Sequence, residues 1–562
     1  MTLKKFIIIE TAIILAVCGI FVSNILIHKD DEYGTAIHVA MDYYGTIDFE
    51  GDDTLEDNAW LDLIKSELNL DIVVDYALPT SQYETKTNTV VAAGSLSDIF
   101  KINVNQFNTL NKANMICDNL AEVFDQYASE GLKKALGWDE NLKQNSENFK
   151  KWVIDGKLSA IPKTTTVYSN CWVLFIRKDW LDVIKEDVPQ TIDDVEVILR
   201  KFKENGLGKG LGLNEELLYT NAGSANFVFN AYGAYPSIFV EKDGKKDFGF
   251  LQSECKDALA RLRSWYQQGL IYSYFDTTKS DALGQKVASG EIGMIYGDMS
   301  IPLWKLGSCV TTISGAEFVC VPAVSLDGTT PTYVSINSTG NEGYVVSKKY
   351  GHPENFIKML NLYYDKMYGE SGDFDRFSKF YEAFPFVIEP SDKNYNQYLE
   401  VKEALDYDRA KENFESFDYS EENDDFKYFT LNGEGKSYYR NIKDYLCNGV
   451  SNNGENWAIT RIFYDYAADD GLTKISGEKG YDCSFSVIDY YAKNGYTKIN
   501  AYLGVDTDAY SKYRRSIESE ISQMFKAVIT GRQPLDYFDR VVTKLRNGYA
   551  QTVLEEINAR GD

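Results

Sequence analysis

The sequence has very little histidine: His28, His38 and His352 are its three imidazole side chains in 562 residues. Histidine is the side chain best suited to acid–base catalysis near neutral pH, and it is the commonest metal ligand. The chain also lacks the G-x-S-x-G elbow of many hydrolases and the H-E-x-x-H motif of zinc proteases. These absences argue against imidazole chemistry and against a metal site built from histidine.

Cysteine is sparse and scattered. The eight cysteines form no C-x-x-C pair, so neither a thiol redox motif nor a zinc ribbon is indicated. If Cys18 is set aside as a lipid-attachment candidate, seven cysteines remain, and any disulfide framework leaves one thiol over. Cys309 and Cys320 are close enough in sequence to pair, but we favour their interpretation as small buried side chains.

Basic residues are in deficit: 58 lysines and arginines face 84 acidic residues, for a net charge of −26. Such a surface repels phosphate backbones and anionic lipids, so we expect no nucleic-acid partner. The hydrophobic fraction of 44% and the charged fraction of 25% are typical of globular proteins. A length of 562 residues favours two to four domains.

Aromatic residues are abundant, at 14% of the chain, with 40 tyrosines among them. Most must serve packing, because no single site uses dozens of rings. A groove lined by tyrosine and tryptophan nevertheless suits ligands with apolar faces and polar rims. Sugars are ligands of this kind.

The N-terminal segment 4–27, KKFIIIETAIILAVCGIFVSNILI, is long enough to span a bilayer, and its two lysines favour a cytoplasmic N-terminus. One interpretation is an uncleaved signal anchor, favoured by the apolar run beyond Cys18. The other is a lipoprotein signal that is cut before Cys18, which then carries the lipid. Both tether the body of the protein to the outer face of the membrane, with residues 28–35 as a linker.

Strand and helix patterns alternate after this linker. Strands are predicted at 37–41, 71–76 and 98–102, with helices between them. This alternation predicts a mainly parallel α/β sheet, in which ligands bind beyond the carboxyl ends of the strands. The candidate ligand-binding segments are therefore 42–45, 94–98 and Asn103.

Four separated blocks resemble, in the correct order, one family of binding proteins. The segment 157–181, KLSAIPKTTTVYSNCWVLFIRKDWL, resembles the first crossover between the lobes of a maltose-binding-type protein. The segment 90–102, VVAAGSLSDIFKI, is similar to the family's A-S-G-x-x-P-D-I motif, with Ser97 in place of proline. The segment 286–306, KVASGEIGMIYGDMSIPLWKL, is similar to its G-x-x-A/G-M strand and ligand-facing turn, and 529–539 matches its closing I-x-G-x-x-P-x-x-x-F-D. The chain thus resembles family 1 extracellular solute-binding proteins of carbohydrate ABC importers, in their large Gram-positive lipoprotein branch.

This resemblance implies an α/β fold with two lobes of the periplasmic-binding-protein type. Each lobe is expected to hold a mainly parallel sheet flanked by helices, with extra C-terminal helices. The segment 318–322 resembles the return crossing to the first lobe. The expected division is 1–35 for the anchor and linker, 36–162 plus 322–390 for lobe 1, and 163–321 plus 391–562 for lobe 2.

The resemblance also implies a function without catalysis. The expected protein captures a sugar or oligosaccharide between the lobes and delivers it to ABC transporter permease subunits, on the outer face of the cytoplasmic membrane of a Gram-positive bacterium. The rings expected to stack on the ligand are Tyr43, Tyr44, Trp172, Tyr232, Tyr296 and Trp304. The groups expected to bind its hydroxyls are Asp98, Asn103, Asn170 and Asp298. Core packing is the alternative for each ring, and capping or surface placement for each polar residue.

Other functions remain open from the residues alone. Carboxylates are plentiful enough to supply the pair that a glycan-active enzyme needs. Exposed aromatics also suit a docking protein, and aromatic boxes hold peptides or quaternary amines. We expect no cofactor; the acidic segments 50–57 and 421–425 offer oxygen ligands for calcium, but neither has glycine at the sixth position of a twelve-residue loop.

Overall fold

The computed structural model describes residues 36–43, 47, 49, 51–146, 148–163, 167–215, 224–336, 340–369, 372–420, 423–464, 483–502 and 506–560. The predicted membrane segment 4–27, its Cys18 and Tyr44 lie outside the described residues. Within the described part of the chain, every helix is too short or too polar to cross a bilayer.

The strands are β1 (Ala36–Tyr43), β2 (Asp71–Pro79), β3 (Ile99–Asn103), β4 (Val153–Ile154), β5 (Lys157–Leu158), β6 (Ile161–Pro162), β7 (Trp172–Arg177), β8 (Leu211–Gly212), β9 (Phe239–Lys242), β10 (Lys245–Phe248), β11 (Met294–Asp298), β12 (Phe318–Val321), β13 (Val334–Ile336), β14 (Glu342–Val346) and β15 (Thr497–Ile499). The helices of the first half are α1 (Ala59–Leu68), α2 (Thr80–Ala93), α3 (Val104–Lys112), α4 (Leu120–Tyr127), α5 (Glu130–Leu136), α6 (Lys178–Ile184), α7 (Ile192–Glu204), α8 (Asn226–Ala231), α9 (Glu254–Gln267) and α10 (Ser280–Ala288). Those of the second half are α11 (Gly307–Thr312), α12 (Pro353–Tyr368), α13 (Phe374–Phe377), α14 (Lys393–Asp408), α15 (Gly433–Asn448), α16 (Glu455–Phe463), α17 (Ser484–Asn494), α18 (Asp508–Ile529), α19 (Tyr537–Arg546) and α20 (Tyr549–Arg560).

Capping residues explain where several helices begin. The Thr191 hydroxyl accepts a hydrogen bond from the backbone N–H of Asp194, whose side chain bonds back to the N–H of Thr191. This reciprocal pair is a capping box, and it starts α7. Asn103 forms the same arrangement with Gln106 at the start of α3. The helix thus begins at the residue where β3 ends.

The first sheet has the strand order β2–β1–β3–β14–β6. β1 lies parallel to β2 and to β3, as the alternation of strands and helices predicts. β14 is antiparallel to both β3 and β6. The carboxyl ends of β1 and β3 therefore lie at the same edge as the beginning of β14 and the end of β6.

The second sheet has the order β12–β7–β11–β8. β7 is antiparallel to β11 and to β12, whereas β11 and β8 are parallel. The sequence predicts mainly parallel sheets, but this sheet is mixed. The difference arises because β7 meets β11 and β12 only after long helical insertions, so the local pattern contains no information on their relative direction.

Successive residues of β7 face two different hydrophobic cores. Leu174 and Ile176 belong to one core, and Val173 and Phe175 to another. Because side chains alternate across a strand, both faces of the second sheet are covered, which explains the continuous apolar run in its sequence. The first of these cores includes residues of α18, α19 and α20, and the second includes residues of α14 to α17.

The first sheet has a core of its own, drawn from residues 37–161 and 344–388. The cores of the second sheet draw on residues 171–336 and 398–557. The predicted two-lobed α/β fold with additional C-terminal helices is confirmed. The return of the chain lies later than the predicted boundary at residue 322, because Val334 and Ile336 of β13 belong to a core of the second lobe and β13 pairs with β15.

The chain passes between the two lobes at three places, which we call the crossing segments: residues 163–171, 337–341 and 389–394. The backbone N–H of Lys163 donates to the carbonyl of Glu342 at 3.1 Å, and the N–H of Glu389 donates to the carbonyl of Lys163 at 3.2 Å. These bonds hold Lys163, Glu342 and Glu389, at one end of each crossing, side by side. Two separately packed bodies joined by adjacent connections are suited to hinge motion.

Candidate functional site

The carboxyl ends of the first sheet lie next to the crossing segments. Tyr43 ends β1, Asn103 ends β3, and Glu342 opens β14 opposite Asn103. The crossing segment 337–341 leads directly into Glu342. Open α/β sheets bind ligands beyond such carboxyl ends. This edge of the first lobe therefore faces the region where a ligand is expected.

The second sheet also turns an edge toward the crossing segments. Trp172 is the first residue of β7, and it pairs with Asp298, the last residue of β11. The crossing segment 163–171 leads directly into Trp172. We call the region between this edge and the edge of Tyr43, Asn103 and Glu342 the interlobe site. Three predicted residues of the second lobe, namely Asn170, Trp172 and Asp298, lie together at it.

Trp172 is half-buried, and its ring is supported from the core side. Its centroid lies 5.5 Å from that of Tyr296, which lies 5.4 Å from Phe227. Tyr296 is only 3% exposed, and burial raises the pKa of its hydroxyl. The sequence predicts that Tyr296 stacks on a ligand, but the structure places it in the core. Its role here is to hold the ring of Trp172 in place.

Asp298 and Trp304 lie on the turn that follows β11. The Asp298 carboxylate accepts hydrogen bonds from the backbone N–H of Ser300 at 2.9 Å and from the Ser300 hydroxyl. It remains half-buried, with its second oxygen outside these bonds. Trp304 lies in a π-helical turn at Pro302–Leu306 and is 75% exposed. Its ring is therefore accessible to a ligand or a partner.

Two predicted residues of the first lobe lie at the expected edge. The carbonyl of Tyr43 accepts a hydrogen bond from the Thr80 hydroxyl at 3.1 Å. The Asn103 oxygen caps α3, and its amide nitrogen donates to Glu84 at 3.1 Å. Asn103 and Glu84 also line a groove of about 310 Å³ between α2 and α3. Asn103 thus combines a capping role with a position on an open surface.

Asp98 lies away from the other predicted residues. It precedes β3, and its carboxylate accepts a hydrogen bond from the backbone N–H of His38 at 2.9 Å. Residues before a parallel strand lie at the amino edge of the sheet. Asp98 is therefore roughly 16 Å from Asn103, at about 3.3 Å per residue along the strand. The predicted contact with the ligand conflicts with this placement.

Tyr232 is also engaged elsewhere. Its hydroxyl accepts a hydrogen bond from the Arg261 guanidinium at 3.1 Å. Arg261 in turn binds the carboxylate of Glu196 at 2.6 Å. These bonds join the end of α8 to α7 and α9. The hydroxyl of Tyr232 therefore serves helix packing, in contrast to its predicted role.

An ionic cluster that lies at the edge of the first sheet is not predicted by the sequence analysis. The ammonium group of Lys101, a side chain only 3% exposed, lies 2.6 Å from Asp42 and 2.8 Å from Glu342. Burial opposes its charge, but the carboxylates of Glu342 and Asp42 outweigh burial and raise the pKa of Lys101. The available signal was a single lysine inside an apolar strand, since an unpaired lysine is costly to bury.

Three buried asparagines of the second lobe are also not predicted by the sequence analysis. Asn214 follows β8 at the carboxyl edge, and Asn226 donates to Ser237 at 2.9 Å and to Ser335 of β13 at 3.5 Å. The amide oxygens of Asn214, Asn226 and Asn230, and the nitrogen of Asn230, have no hydrogen-bond partner among the described residues. Buried amides normally have such partners. The signal was a pair of asparagines four residues apart in the otherwise apolar α8.

The described residues also bear on the metal and thiol predictions. Among the residues that the structure describes, no three His, Cys, Asp or Glu side chains are grouped to hold a metal ion. Glu50, Glu421 and Glu422 lie outside those residues, so the calcium alternative and the absence of a cofactor stay predictions. Cys309 and Cys320 are separate buried thiols, which confirms their interpretation as small buried side chains.

Several curated proteins are similar to this chain. Lipoprotein LipO of Bacillus subtilis (strain 168) is 28% identical over 227 residues. The polygalacturonan/rhamnogalacturonan-binding protein YtcQ of the same strain is 24% identical over 238 residues. The fructooligosaccharide ABC transporter substrate-binding protein FusA of Streptococcus pneumoniae serotype 4 is 26% identical over 231 residues. These matches span 38–40% of this chain and only 42–43% of the length of the relatives.

Solved structures share the fold over nearly the whole chain. An HMO-binding, ABC-transporter-associated solute-binding protein from Bifidobacterium longum infantis ATCC 15697 matches with a TM-score of 0.57 at 14% identity, covering 93% of this chain and 98% of that one. Alginate-binding protein AlgQ2, solved without calcium ion, matches with a TM-score of 0.55 at 14% identity, covering 94% and 98%. At this identity the likeness establishes the fold.

The family model described as bacterial extracellular solute-binding protein matches residues 60–354, more than half of the chain. This range includes four of the five strands of the first sheet, two of the three crossing segments and the edge of the second sheet at Trp172 and Asp298. The match therefore agrees with three of the four sequence blocks and with the two-lobed fold. The chain belongs to the family of bacterial extracellular solute-binding proteins.

Proposed function

We propose that this protein captures a sugar or oligosaccharide at the interlobe site and delivers it to the permease subunits of an ABC transporter. The observation that carries the proposal is the pairing of Trp172 with Asp298 at the edge that faces the crossing segments. An aromatic ring face packs against the C–H patches of a sugar, and a neighbouring carboxylate accepts hydrogen bonds from the hydroxyl groups of the sugar. Such a pair suits a ring-shaped ligand with polar rims.

Relatives support a carbohydrate as the ligand class. Two of them are named for polygalacturonan and rhamnogalacturonan and for fructooligosaccharide, and the second is named as the substrate-binding protein of an ABC transporter. We propose the same role here, on the extracellular side of a Gram-positive cell. Loss of uptake of the identified ligand after deletion of the gene, and its rescue by the intact gene, tests the transport step.

The mechanism follows from the two sheet edges. Trp172, Asp298 and Asn170 lie on the second lobe, and Tyr43 and Asn103 lie on the first. Rotation about the crossing segments brings these groups toward each other around the ligand and removes water from both sides. Binding energy then stabilises the closed form, since a ligand that touches both lobes favours that state over the open one.

The proposal assigns no catalytic role. Stabilisation by a ligand is given by RT ln(1 + [L]/Kd), about 2.7 kcal/mol at a hundredfold excess over Kd. Thermal unfolding of the purified chain with a panel of glycans, peptides and choline is expected to show stabilisation by a glycan. Chromatography of the same mixtures is expected to return the glycan unchanged. Formation of a product would instead establish a glycan-active enzyme, and stabilisation by peptide or choline alone would establish a different ligand class.

We propose that the N-terminal segment tethers this body to the membrane, either as an uncleaved anchor or through lipid on Cys18. Support comes from the sequence of residues 4–27 and from a relative named as a lipoprotein. The intact mass of the membrane-extracted protein decides between the two forms. Loss of residues 1–17 with added acyl mass identifies the lipoprotein, and retention of these residues identifies the anchor.

A further inference from the structure

The positive charges at the first edge of the interlobe site are already paired. Lys101 lies between Asp42 and Glu342, and Lys163 lies 3.5 Å from the second oxygen of Glu342. Two ammonium groups thus share two carboxylates. A carboxylate on a ligand would have to compete with these fixed partners for either lysine.

The other cations near the crossing segments are held in the same way. Lys151 donates to the carbonyl of Gly340 at 2.9 Å, and Lys393 lies 2.9 Å from the carboxylate of Glu434. Arg514 lies 2.9 Å from Glu518 and 3.5 Å from Asp506. Asp506 also accepts a hydrogen bond from Asn105 of the first lobe at 3.3 Å, which places Arg514 near the junction of the lobes. Each of these cations therefore has a local partner.

Two further carboxylates, one near each edge, accept hydrogen bonds from neutral donors. Glu84 accepts from the Asn103 amide, and Asp298 accepts from Ser300. Their charges therefore remain available to repel an anion. Among the charged groups named for this site, carboxylates outnumber cations.

Three buried hydrogen-bonding side chains of the second lobe are neutral amides. Asn214, Asn226 and Asn230 are at most 7% exposed and retain amide atoms without a partner among the described residues. Neutral amides suit hydroxyl groups, which both donate and accept. Recognition of a planar carboxylate instead favours arginine in a bidentate arrangement.

We infer that the ligand is a neutral, hydroxyl-rich oligosaccharide and that the interlobe site discriminates against oligosaccharides that bear carboxylates. The inference rests on the proposed function and adds the charge class of the ligand. It separates this chain from the relative named for polygalacturonan, a polymer whose repeating unit is a uronic acid. The discrimination comes from Asp42, Glu342, Asp298 and Glu84 together.

Matched pairs of probes test this inference on the purified full-length chain. Suitable pairs are methyl-esterified and free oligogalacturonides, mannan and mannuronan oligomers, and xylan oligomers with and without glucuronic acid. Calorimetric titration is expected to show at least one neutral member binding at least ~10-fold more tightly than its charged partner, a difference of about 1.4 kcal/mol. Equal or tighter binding of the charged member overturns the inference and leaves the proposed function intact. Absence of binding by all members and by every glycan of the thermal panel overturns the proposed function, together with the inference.

Two variants locate the discrimination. Glu342→Gln removes one carboxylate from the cluster around Lys101, so the preference for the neutral member is expected to fall at least ~3-fold. Asp71→Asn is the matched control, because Asp71 pairs with Lys65 at the opposite edge of the same sheet. Its preference is expected to equal that of the unmodified chain. Equal preferences in Glu342→Gln and Asp71→Asn would contradict the assignment of discrimination to this edge, once thermal unfolding shows that both variants fold.

Discussion

The carboxylate of Asp392 accepts a hydrogen bond from the backbone N–H of Tyr168 at 2.8 Å. The same oxygen accepts the N–H of Val167 at 2.8 Å, and the ring of Tyr168 lies 4.9 Å from that of Tyr395. One side chain of the third crossing segment thus fixes the backbone of the first. Because Trp172 follows four residues later, Asp392 also sets where the second lobe begins.

Substitution of Asp392 is expected to weaken this junction. Asp392→Ala removes the acceptor of two N–H groups and places alanine at φ 48°, a left-handed conformation that aspartate and asparagine tolerate better. We expect a loss of about 2 kcal/mol in the free energy of unfolding, measured by urea denaturation. Asp392→Asn retains an oxygen acceptor and the backbone preference, so its loss is expected to be less than half as large. Equal losses in the two variants would show that the hydrogen bonds contribute little.

The stability conferred by Asp392 is expected to depend on pH. Burial raises the pKa of this carboxyl above its ordinary value near 3.9, although the N–H groups of Tyr168 and Val167 oppose the shift. The folded state therefore binds the proton more tightly than the unfolded state, and the contribution of Asp392 falls as pH rises through the raised pKa. The difference in unfolding free energy between the unmodified chain and Asp392→Asn should be largest near pH 4 and smaller at pH 7. A difference that grows with pH would contradict this assignment.

Strands and helix starts can be predicted where they depend on residues that are close together in the sequence. The strands around Ile37, Ile72 and Ile99 and the start of α7 at Thr191 follow from side-chain periodicity and capping chemistry. The prediction for Asp98 is wrong because a residue before a parallel strand lies at the amino edge of the sheet, which similarity to a family motif does not record. Tyr296 alternates into the core, and its neighbours in space could not be read from its own segment.

The ionic cluster around Lys101 cannot be predicted from the sequence for a different reason. Asp42, Lys101 and Glu342 come from three strands that are far apart in sequence, and only the strand order β1–β3–β14 brings them together. The pairing of Trp172 with Asp298 is nonlocal in the same sense, although each residue was predicted separately. Strand direction and register are fixed by tertiary packing, which local patterns do not record.

Removal of the Lys101 charge is expected to destabilise the first lobe strongly. Lys101→Met leaves Asp42, which is 10% exposed, without its cation. Breaking a buried ion pair from one side costs about 3 kcal/mol, since the remaining charge is left in a region of low polarity. Lys65→Met is the matched control, because the pair of Lys65 with Asp71 is half-exposed and is worth less than ~1 kcal/mol. Urea denaturation measures the loss in the free energy of unfolding for each variant. The double variant Lys101→Met, Asp42→Asn is expected to recover part of the loss seen in Lys101→Met.

The thiols are expected to differ in reactivity. Cys447 of α15 is exposed, whereas Cys171, Cys255, Cys309, Cys320 and Cys483 are buried and Cys117 is intermediate. A thiol reagent applied to the folded chain should label Cys447 first, and the buried cysteines only on unfolding, because access limits their reaction. Peptide mass spectrometry identifies the labelled sites, and Cys447→Ser removes the fast phase. Early labelling of Cys309 or Cys320 in the folded protein would contradict their buried placement.

The interlobe site itself is tested by its two paired residues. Trp172→Ala removes the ring face, and Asp298→Ala removes the adjacent acceptor, so each is expected to weaken ligand affinity by at least ~10-fold, or about 1.4 kcal/mol. Tyr407→Ala is the control for aromatic loss, since Tyr407 is 45% exposed on α14. Calorimetric titration with the glycan found in the thermal screen measures all three. Because Tyr296 supports Trp172 from the core side, Tyr296→Phe should leave affinity within ~3-fold, whereas Tyr296→Ala should lower both affinity and stability. Unchanged affinity in both Trp172→Ala and Asp298→Ala would move the ligand away from this edge.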